Sequence, residues 1–371
     1  MLTFGSLFTG FDGVGVGALA CGLDLAWGME LDPDLAAVAN RNLGGHVRVG
    51  DILDADPADF PPVDVLHASP PCPSFSVAKA NGKETPHDIA LAEATARFVT
   101  ILRAPVVTLE NVWGYRNSKS WRIIADALNG AGYWFDVAHV NFADMSVPQT
   151  RKRMVVRALL GRMVPYLPQP EPWVGWYEAI EDLIPTLPES QFAPWQLARL
   201  PEELTTALVT NQHNQPNGQG EPALAVAGQS SGRTRAFLLG GQFGQPANGN
   251  GEARPAQLAT DGPTFTVTAV NKGDWRAFLV DGQNCRTEEK GGLSRVLSAE
   301  PALSVVASHK GLPRAWLSAG RVVSMTPRCL ARFQTFPDWY ELPSKNALAC
   351  KGIGNAVPPL GYQKILKSIL D

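Results

Sequence analysis

The stretch TFGSLFTGFDGVGVGA, Thr3 to Ala18, opens with a strand-type apolar run and passes directly into a glycine-rich turn that starts a helix. Glycine lets a backbone turn sharply and come close to a ligand, and a helix N-terminus presents unpaired N–H groups to it. This is how an open α/β sheet begins when it holds a nucleotide-type cofactor. Gly13, Gly15 and Ala18 also match the dinucleotide fingerprint, and Glu30 or Asp32 stands near the place of a ribose-binding acid. A dehydrogenase is therefore one rival at this point, and a plain packing turn is another.

Outward from that turn, to about residue 165, short apolar runs alternate with helical spacing. Candidate strands are Thr3–Phe8, Leu25–Glu30, His46–Val49, Val63–Ala68, Val106–Glu110, Trp134–Asn141 and Met154–Ala158. Asp34–Asn42, Ala90–Leu102 and Trp121–Gly130 carry the helical spacing between them. The alternation predicts a parallel sheet. From about 172 to 320 the chain turns rich in Gly, Pro, Asn and Gln. One pattern recurs there, PALAVAGQSSGRTRAFL from Pro222, PTFTVTAVNKGDWRAFL from Pro263 and PALSVVASHKGLPRAWL from Pro301. The repeat predicts stacked β-hairpins in a small separate domain, with the polar loops Gln229–Arg235, Asn271–Trp275 and Ser308–Arg314 as ligand contacts. The last fifty residues return to a helical texture and end in a loop and a short helix, Gly354–Leu370, expected to pack back on the first domain.

With 371 residues, 45% of them hydrophobic and 18% charged, the chain can bury a large core in two or three domains. No apolar run has the length of a membrane span, and the N-terminus lacks the layout of a secretion signal, so a soluble, cytoplasmic protein without a membrane partner is expected. Cys21, Cys72, Cys285, Cys329 and Cys350 are scattered, and the histidines, among them His46, His67 and His87, form no ligand spacing. No metal is expected. The net charge of −3 counts mildly against a nucleic-acid substrate, but a cleft can concentrate Arg and Lys while other faces stay acidic.

Several residues should meet at the carboxyl edge of the sheet. Glu30 ends the second strand and Asp51 follows the third, where an acid can accept hydrogen bonds from ribose hydroxyls or an adenine amino group; helix N-capping is the other reading, above all for Asp32 and Asp51. The fourth strand leads into SPPCPSFS, in which Pro70, Pro71 and Pro73 stiffen a loop around Cys72. A thiolate there can add to an electron-poor ring carbon, whereas most lone cysteines are buried and inert. The fifth strand ends in Glu110 and Asn111; a partly desolvated carboxylic acid can protonate or hydrogen-bond a ring nitrogen, and a solvated strand end is the plain alternative. In VPQTRKRMVVRA, Arg151 and Arg153 alternate on an extended segment and point the same way, to fork a base carbonyl and a phosphate or simply to form a solvated face. Asn355, in the glycine- and proline-bracketed loop GIGNAVPP, closes over a cofactor or forms a simple turn.

Together these segments, in this order, resemble the cytosine-C5 DNA methyltransferase family. FTGFDG looks like its first motif, Glu30 and Asp51 its second and third, PPCPSFS its nucleophile loop, ENV its sixth, QTRKR its eighth, Arg321–Tyr340 its ninth and GNAVPP its tenth. The resemblance implies an α/β fold, a Rossmann-like S-adenosylmethionine-dependent methyltransferase domain (1–165 plus 345–371) with a smaller, mainly β target-recognition domain (172–340). It implies contacts to S-adenosylmethionine from Phe8, Thr9, Gly10, Phe11, Gly13, Glu30, Leu31, Asp51, Ile52, Pro70, Asn355 and Ala356. It further implies attack by Cys72 on C6 of a flipped cytosine, with Glu110 at N3 and Arg153, supported by Arg151, at the base oxygen. S-adenosylhomocysteine would be the product, double-stranded DNA the partner of a monomer of bacterial or phage type, and a cognate restriction endonuclease stays open as a second partner. A tRNA-methylating branch and a non-enzymatic relative are the rivals within the resemblance; the long repeat region argues against the first, and intact Cys72, Glu110 and Arg153 against the second. Two positions depart from the family pattern: Asp12 stands where glycine is usual, which puts an acid near the cofactor, and Pro73 where glutamine is usual.

Overall fold

The computed structural model describes residues 1–71, 84–176, 178–189 and 325–370, together with the backbone of six strands between 234 and 324. Cys72, Pro73, Cys285 and most of the three polar repeat loops lie outside the described residues.

The first unit forms as the patterning requires. β1 (Thr3–Leu7) is buried from Phe4 onward and runs into α1 (Gly13–Leu19). β2 (Asp24–Glu30), α2 (Pro33–Leu43), β3 (Val47–Val49) and β4 (Val65–Ala68) follow, then α3 (Pro86–Leu102), β5 (Val106–Asn111) and α4 (Lys119–Gly130). β6 (Tyr133–Asn141), the two-residue β7 (Gln149–Thr150) and β8 (Lys152–Leu160) complete the region. Local chemistry sets the helix ends. Asp32 caps α2 ahead of Pro33, and α2 stops at Gly44 with φ +88°. Thr85 and Asp88 close a capping box ahead of Pro86 and α3.

Seven strands form one sheet in the order β3-β2-β1-β4-β5-β8-β6. The first five are parallel, but β8 runs antiparallel between β5 and β6, so the sheet is mixed rather than wholly parallel. The physical reason is length. Only residues 142–151 separate β6 from β8, too few for the dozen or more that a parallel crossover needs.

One face of the sheet is covered by α3 and α4, where Phe98, Ile124 and Leu128 meet Trp27, Leu66, Val107 and Met154. α1 and the C-terminal helix α7 (Pro359–Leu370) cover the other, where Tyr362, Ile365 and Leu366 pack on Phe4, Val65, Val106 and Val155. α7 thus packs back on the first sheet, as expected for a terminal helix without a sheet of its own. Between them lie α5 (Pro327–Phe333) and α6 (Asn346–Asn355). A third apolar cluster joins Phe11 to Trp176, Ile180, Leu330, Phe333, Tyr340 and Ile353. Residues from both sides of the Gly- and Pro-rich region are therefore built into the packing beside α1.

A second sheet has the order β10-β9-β11-β13-β14, from β9 (Thr234–Leu239), β10 (Gln257–Leu258), β11 (Arg276–Asp281), β13 (Arg314–Leu317) and β14 (Arg321–Ser324). The Arg-Ala-aromatic-Leu strands of the three repeats lie side by side: Phe278 is in register with Phe237 across an antiparallel pair and with Trp316 across a parallel one. A hairpin within each repeat is not the arrangement in the third copy. Its first strand, β12 (Ala302–Leu303), pairs instead with β7, in parallel. Among the described residues no helix is long and apolar enough to cross a membrane.

The glycines of α1 serve this packing directly. A Cβ on Gly13 would come within 2.2 Å of the Val357 carbonyl, a backbone atom that cannot swing aside. Gly13→Ala is expected to lower stability by about 1–3 kcal/mol, as overpacking typically does, read as a drop in the urea midpoint at an unchanged m-value. An unaltered midpoint would show that α1 and the C-terminal segment are not in this contact.

Candidate active site

The carboxyl ends of β1, β2 and β3 build the first half of the site. After Leu7 the chain makes a tight turn in which Phe8, Gly10 and Asp12 all have positive φ, near +60° at Phe8 and Gly10. Thr9 is stitched to β2, its N–H donating to the Met29 carbonyl at 3.0 Å and its Oγ1 accepting from Met29 N–H at 2.9 Å. Glu30 then straps the turn, one carboxylate oxygen accepting from Gly10 N–H at 2.7 Å and the other from Asp32 N–H at 2.9 Å. Each oxygen keeps a lone pair for a further donor. A Cβ at Gly10 would meet nothing within 4 Å, so the turn faces open space here. Leu31 beside it is 63% exposed, while Ile52 is buried. Asp51 accepts from Leu53 N–H at 2.9 Å, closing a turn after β3.

Phe11 and Asp12 face elsewhere. Phe11 is fully buried, its ring packed towards Tyr340 and beneath Gly352, so its side chain belongs to the core instead of the sheet edge. Asp12 is also fully buried. Its carboxylate caps α1 by accepting from Gly15 N–H at 2.9 Å and meets His46 Nε2 at 2.8 Å. The acid that departs from the usual glycine thus points into the helix and towards His46, a structural answer to the question its presence raises.

β4, β5 and β8 build the second half. Pro70 is buried, and its carbonyl accepts from Asn111 Nδ2 at 3.0 Å, tying the segment just before Cys72 to the end of β5. Antiparallel pairing of β5 with β8 sets Glu110 opposite Val155 and Asn111 opposite Met154, so Arg151, just before β8, and Arg153, its second residue, lie at the same edge. Glu110 is only 7% exposed, with Arg151 and Arg153 buried beside it. Its Oε1 lies 3.1 Å from Arg153 Nε and 3.8 Å from a terminal nitrogen of Arg151. No donor among the described residues is aligned on that oxygen as a hydrogen bond, so it keeps acceptor capacity. Arg151 also donates to the Gly354 carbonyl at 3.1 Å. Gln149 donates to the Phe333 carbonyl at 3.0 Å and to Gln334, which in turn donates to the Ala356 carbonyl. Asn355 is exposed, and it is the last residue of α6 rather than part of a loop; the helix ends there because the pair Pro358-Pro359 disfavours helical backbone ahead of it.

Three groups near the edge had been given no role there from the sequence. Asn111 could have been found from strand alternation, which sets it on the opposite face from Glu110. His67 had no such signal. It is buried, with one ring nitrogen 2.9 Å from Thr108 Oγ1 and the other 2.7 Å from Ser69 Oγ, and Thr108 Oγ1 lies 2.8 Å from Tyr362 Oη. Trp113, Arg116 and His139 form a stack beside Asn111 that no local spacing announces.

Comparison with known proteins gives matches that run over nearly the whole chain. A family model described as C-5 cytosine-specific DNA methylase matches residues 2–371. The chain belongs to the C-5 cytosine-specific DNA methylase family. Type II methyltransferase M.NgoFVII of Neisseria gonorrhoeae is 23% identical over 98% of this chain and 85% of its own length. M.Bsp6I of Bacillus sp. (strain RFL6) is 32% identical over 42% of the chain and 51% of its own, so the chain spans about half of that relative. Among solved structures, the S. pombe Dnmt2 methyltransferase superposes with TM-score 0.57 at 12% identity, covering 98% of this chain and 96% of that one. An Entamoeba histolytica methyltransferase gives 0.58 at 10%, covering 99% and 97%. The Rossmann-like fold of S-adenosylmethionine-dependent methyltransferases, implied by the resemblance, is therefore the fold of this chain.

Burial of His67 has a measurable consequence. Desolvation holds its imidazole at about 3, against an ordinary 6.5. Between these values the unfolded chain binds a proton that the fold does not, so stability falls as pH drops from 6.5 towards 3, by at most about 1.4 kcal/mol per pH unit. Urea melts at pH 4.5 to 6.5 should show this slope, reduced by close to one proton in His67→Gln. Equal slopes would contradict a neutral buried imidazole.

Proposed function

We propose that this chain is a DNA cytosine-C5 methyltransferase acting on a cytosine flipped out of a specific duplex sequence, with S-adenosylmethionine as methyl donor. The observation that carries this is the buried carboxyl of Glu110, gripped on one side by Arg153 and Arg151 and retaining an oxygen on which no donor among the described residues is aligned. An acid and a guanidinium held so close can take two adjacent positions on the edge of one pyrimidine, a ring nitrogen and its neighbouring carbonyl oxygen.

The residues around β1 and β2 fit the cofactor. Glu30 is fixed by two backbone N–H groups with lone pairs to spare for ribose hydroxyls, Gly10 leaves room where a side chain would intrude, and the exposed Leu31 with Ile52 offers apolar cover to an adenine ring. Phe8, Thr9, Asp51, Pro70, Asn355 and Ala356 complete the proposed pocket, while Phe11 and Gly13 contribute through backbone because their side-chain positions face the core. When bound, S-adenosylmethionine supplies an electrophilic methyl group for C5 and leaves as S-adenosylhomocysteine.

Cys72 as thiolate adds to C6, forming the sulfur–carbon bond and pushing the electron pair of the 5,6 double bond to C5. Glu110, taking up a proton as the base enters, donates it to N3, which stabilises the electron-rich ring, and Arg153, backed by Arg151, holds the base oxygen in place. Once C5 is methylated, loss of its proton and expulsion of the Cys72 thiolate restore the aromatic ring. Base extrusion precedes all of this, since no side chain reaches C6 within the stack. Residues 190–324 are assigned to target recognition. We place Trp176, Ile180, Leu187 and Met325–Tyr340 with the cofactor-binding part, because they share a core with Phe11. The curated relatives' description as type II methyltransferases supports a cognate restriction endonuclease as a partner.

Bisulfite sequencing of DNA and RNA from cells expressing the chain tests the reading. Protected cytosines in one DNA context are expected; protection confined to RNA would replace the substrate. In vitro, Cys72→Ser should abolish methyl transfer and Glu110→Gln lower it about 10²- to 10⁴-fold, both with unchanged cofactor affinity by calorimetry. Full activity in Cys72→Ser would overturn the mechanism.

A further inference from the structure

Immediately after Asn111 the chain forms a short 3-10 turn, Trp113–Asn117. The Arg116 guanidinium sits 4.1 Å from the centre of the Trp113 ring, and its Nη1 donates to the Trp113 carbonyl at 3.1 Å. The His139 ring stacks on the same indole at 4.2 Å and 15°. Imidazole and guanidinium therefore both pack against this one indole. His139 pairs across β6 and β8 with Met154, the residue that Asn111 pairs with from the other side. Lys152 lies two residues before Met154, and strand alternation puts both on one face. The stack and Lys152 therefore line the α3–α4 side of the rim whose other side carries Glu110 and Arg153.

The charges of this group are uncompensated. Arg151, Arg153, Arg157, Arg328, Arg332, Lys351 and Lys364 each have a carboxylate within 4 Å. Among the described residues Arg116 and Lys152 have none; others without one, such as Arg48, Arg97 and Lys367, lie on other elements. Lys152 is exposed and Arg116 half-buried. Desolvation first, then the charges of Lys152 and Arg116, hold His139 below its ordinary range, so near neutral pH it is an uncharged stacking plate. In a chain of net charge −3, leaving two cations unpaired beside the proposed catalytic edge is a local concentration of positive potential. The ring contact and the hydrogen bond to the Trp113 carbonyl hold the guanidinium before any ligand arrives, which lowers the ordering cost of binding.

We propose that Arg116 and Lys152, with the Trp113–His139 stack as rigid backing, bind the phosphodiester backbone of the duplex next to the flipped base. This rests on the DNA methyltransferase reading. Arg116 offers a planar donor fork suited to phosphate oxygens, and Lys152 offers a point charge. Phosphate contacts position a duplex without reading its sequence.

The test is the salt dependence of binding by the full chain to a duplex carrying its methylation site, as found by bisulfite sequencing. For Arg116→Gln/Lys152→Gln the log–log slope of affinity against salt should fall by about 2, near 0.9 per phosphate lost. Affinity at low salt should drop at least tenfold, with the cofactor affinity and the set of methylated sites unchanged. Lys367→Gln, removing an exposed cation at the far end of α7, should leave the slope as it was. A double variant with the wild-type slope would overturn the proposal, as would an equal loss from Lys367→Gln. If no cytosine is methylated, the same titration on a mixed-sequence duplex decides separately: a steeper slope for the wild-type chain than for the double variant would leave the phosphate contact standing while the methyltransferase reading falls.

Discussion

The interaction on which the site depends is the buried contact between the Glu110 carboxylate and the Arg153 and Arg151 guanidiniums. Burying such charges is costly, and removing one partner leaves the other stranded, so the arrangement persists only where the surrounding fold holds it. The hold is visible residue by residue. β8 turns back antiparallel against β5, which sets both arginines opposite the end of the strand carrying Glu110. Arg151 spends a further donor on Gly354, so the C-terminal segment is drawn to the same edge. Asn111, next to Glu110, fixes Pro70 and with it the entry to the proline-rich loop. Three distant stretches of chain thereby converge on one carboxyl group.

The cofactor side follows a parallel logic in which backbone does most of the holding. Glu30 organises the turn by accepting from Gly10 and Asp32, and Asp12 does the same one turn later for α1. Asp12 adopts φ +54°, a conformation that glycine takes freely and that Asp tolerates better than most side chains. Its gain is a helix cap and a partner in His46. The substitution is consistent with an intact turn because its carboxylate has been turned inward.

Much of this was legible in the letters. The strand-to-glycine-turn unit, the seven strands, the helices between them and the acids at strand ends all follow from local patterning, since apolar period and capping residues act within a few positions. The direction of β8 was legible in principle from the ten residues available to connect it to β6, but the apolar alternation that located the strand carries no direction. The repeats announced strands and not their partners. Pairing depends on which edges are free in space, and β12 finds β7 while the second strands find one another. His67, Tyr362 and the Trp113–His139 stack were invisible for the same reason. Each joins residues from separate strands or helices, and nothing in the spacing along the chain encodes that meeting.

The central claim is that the thiol of Cys72 and the gripped carboxyl of Glu110 act on one cytosine. A duplex carrying 5-fluorocytosine at the methylated position tests it most directly, because fluorine cannot leave C5 as a proton does and the adduct is trapped. Incubated with S-adenosylmethionine, the protein should form a complex that survives denaturation, with Cys72 as the modified residue by peptide mass spectrometry. Normal methylation of the unmodified duplex without any trapped complex, or trapping through another residue, would contradict the account.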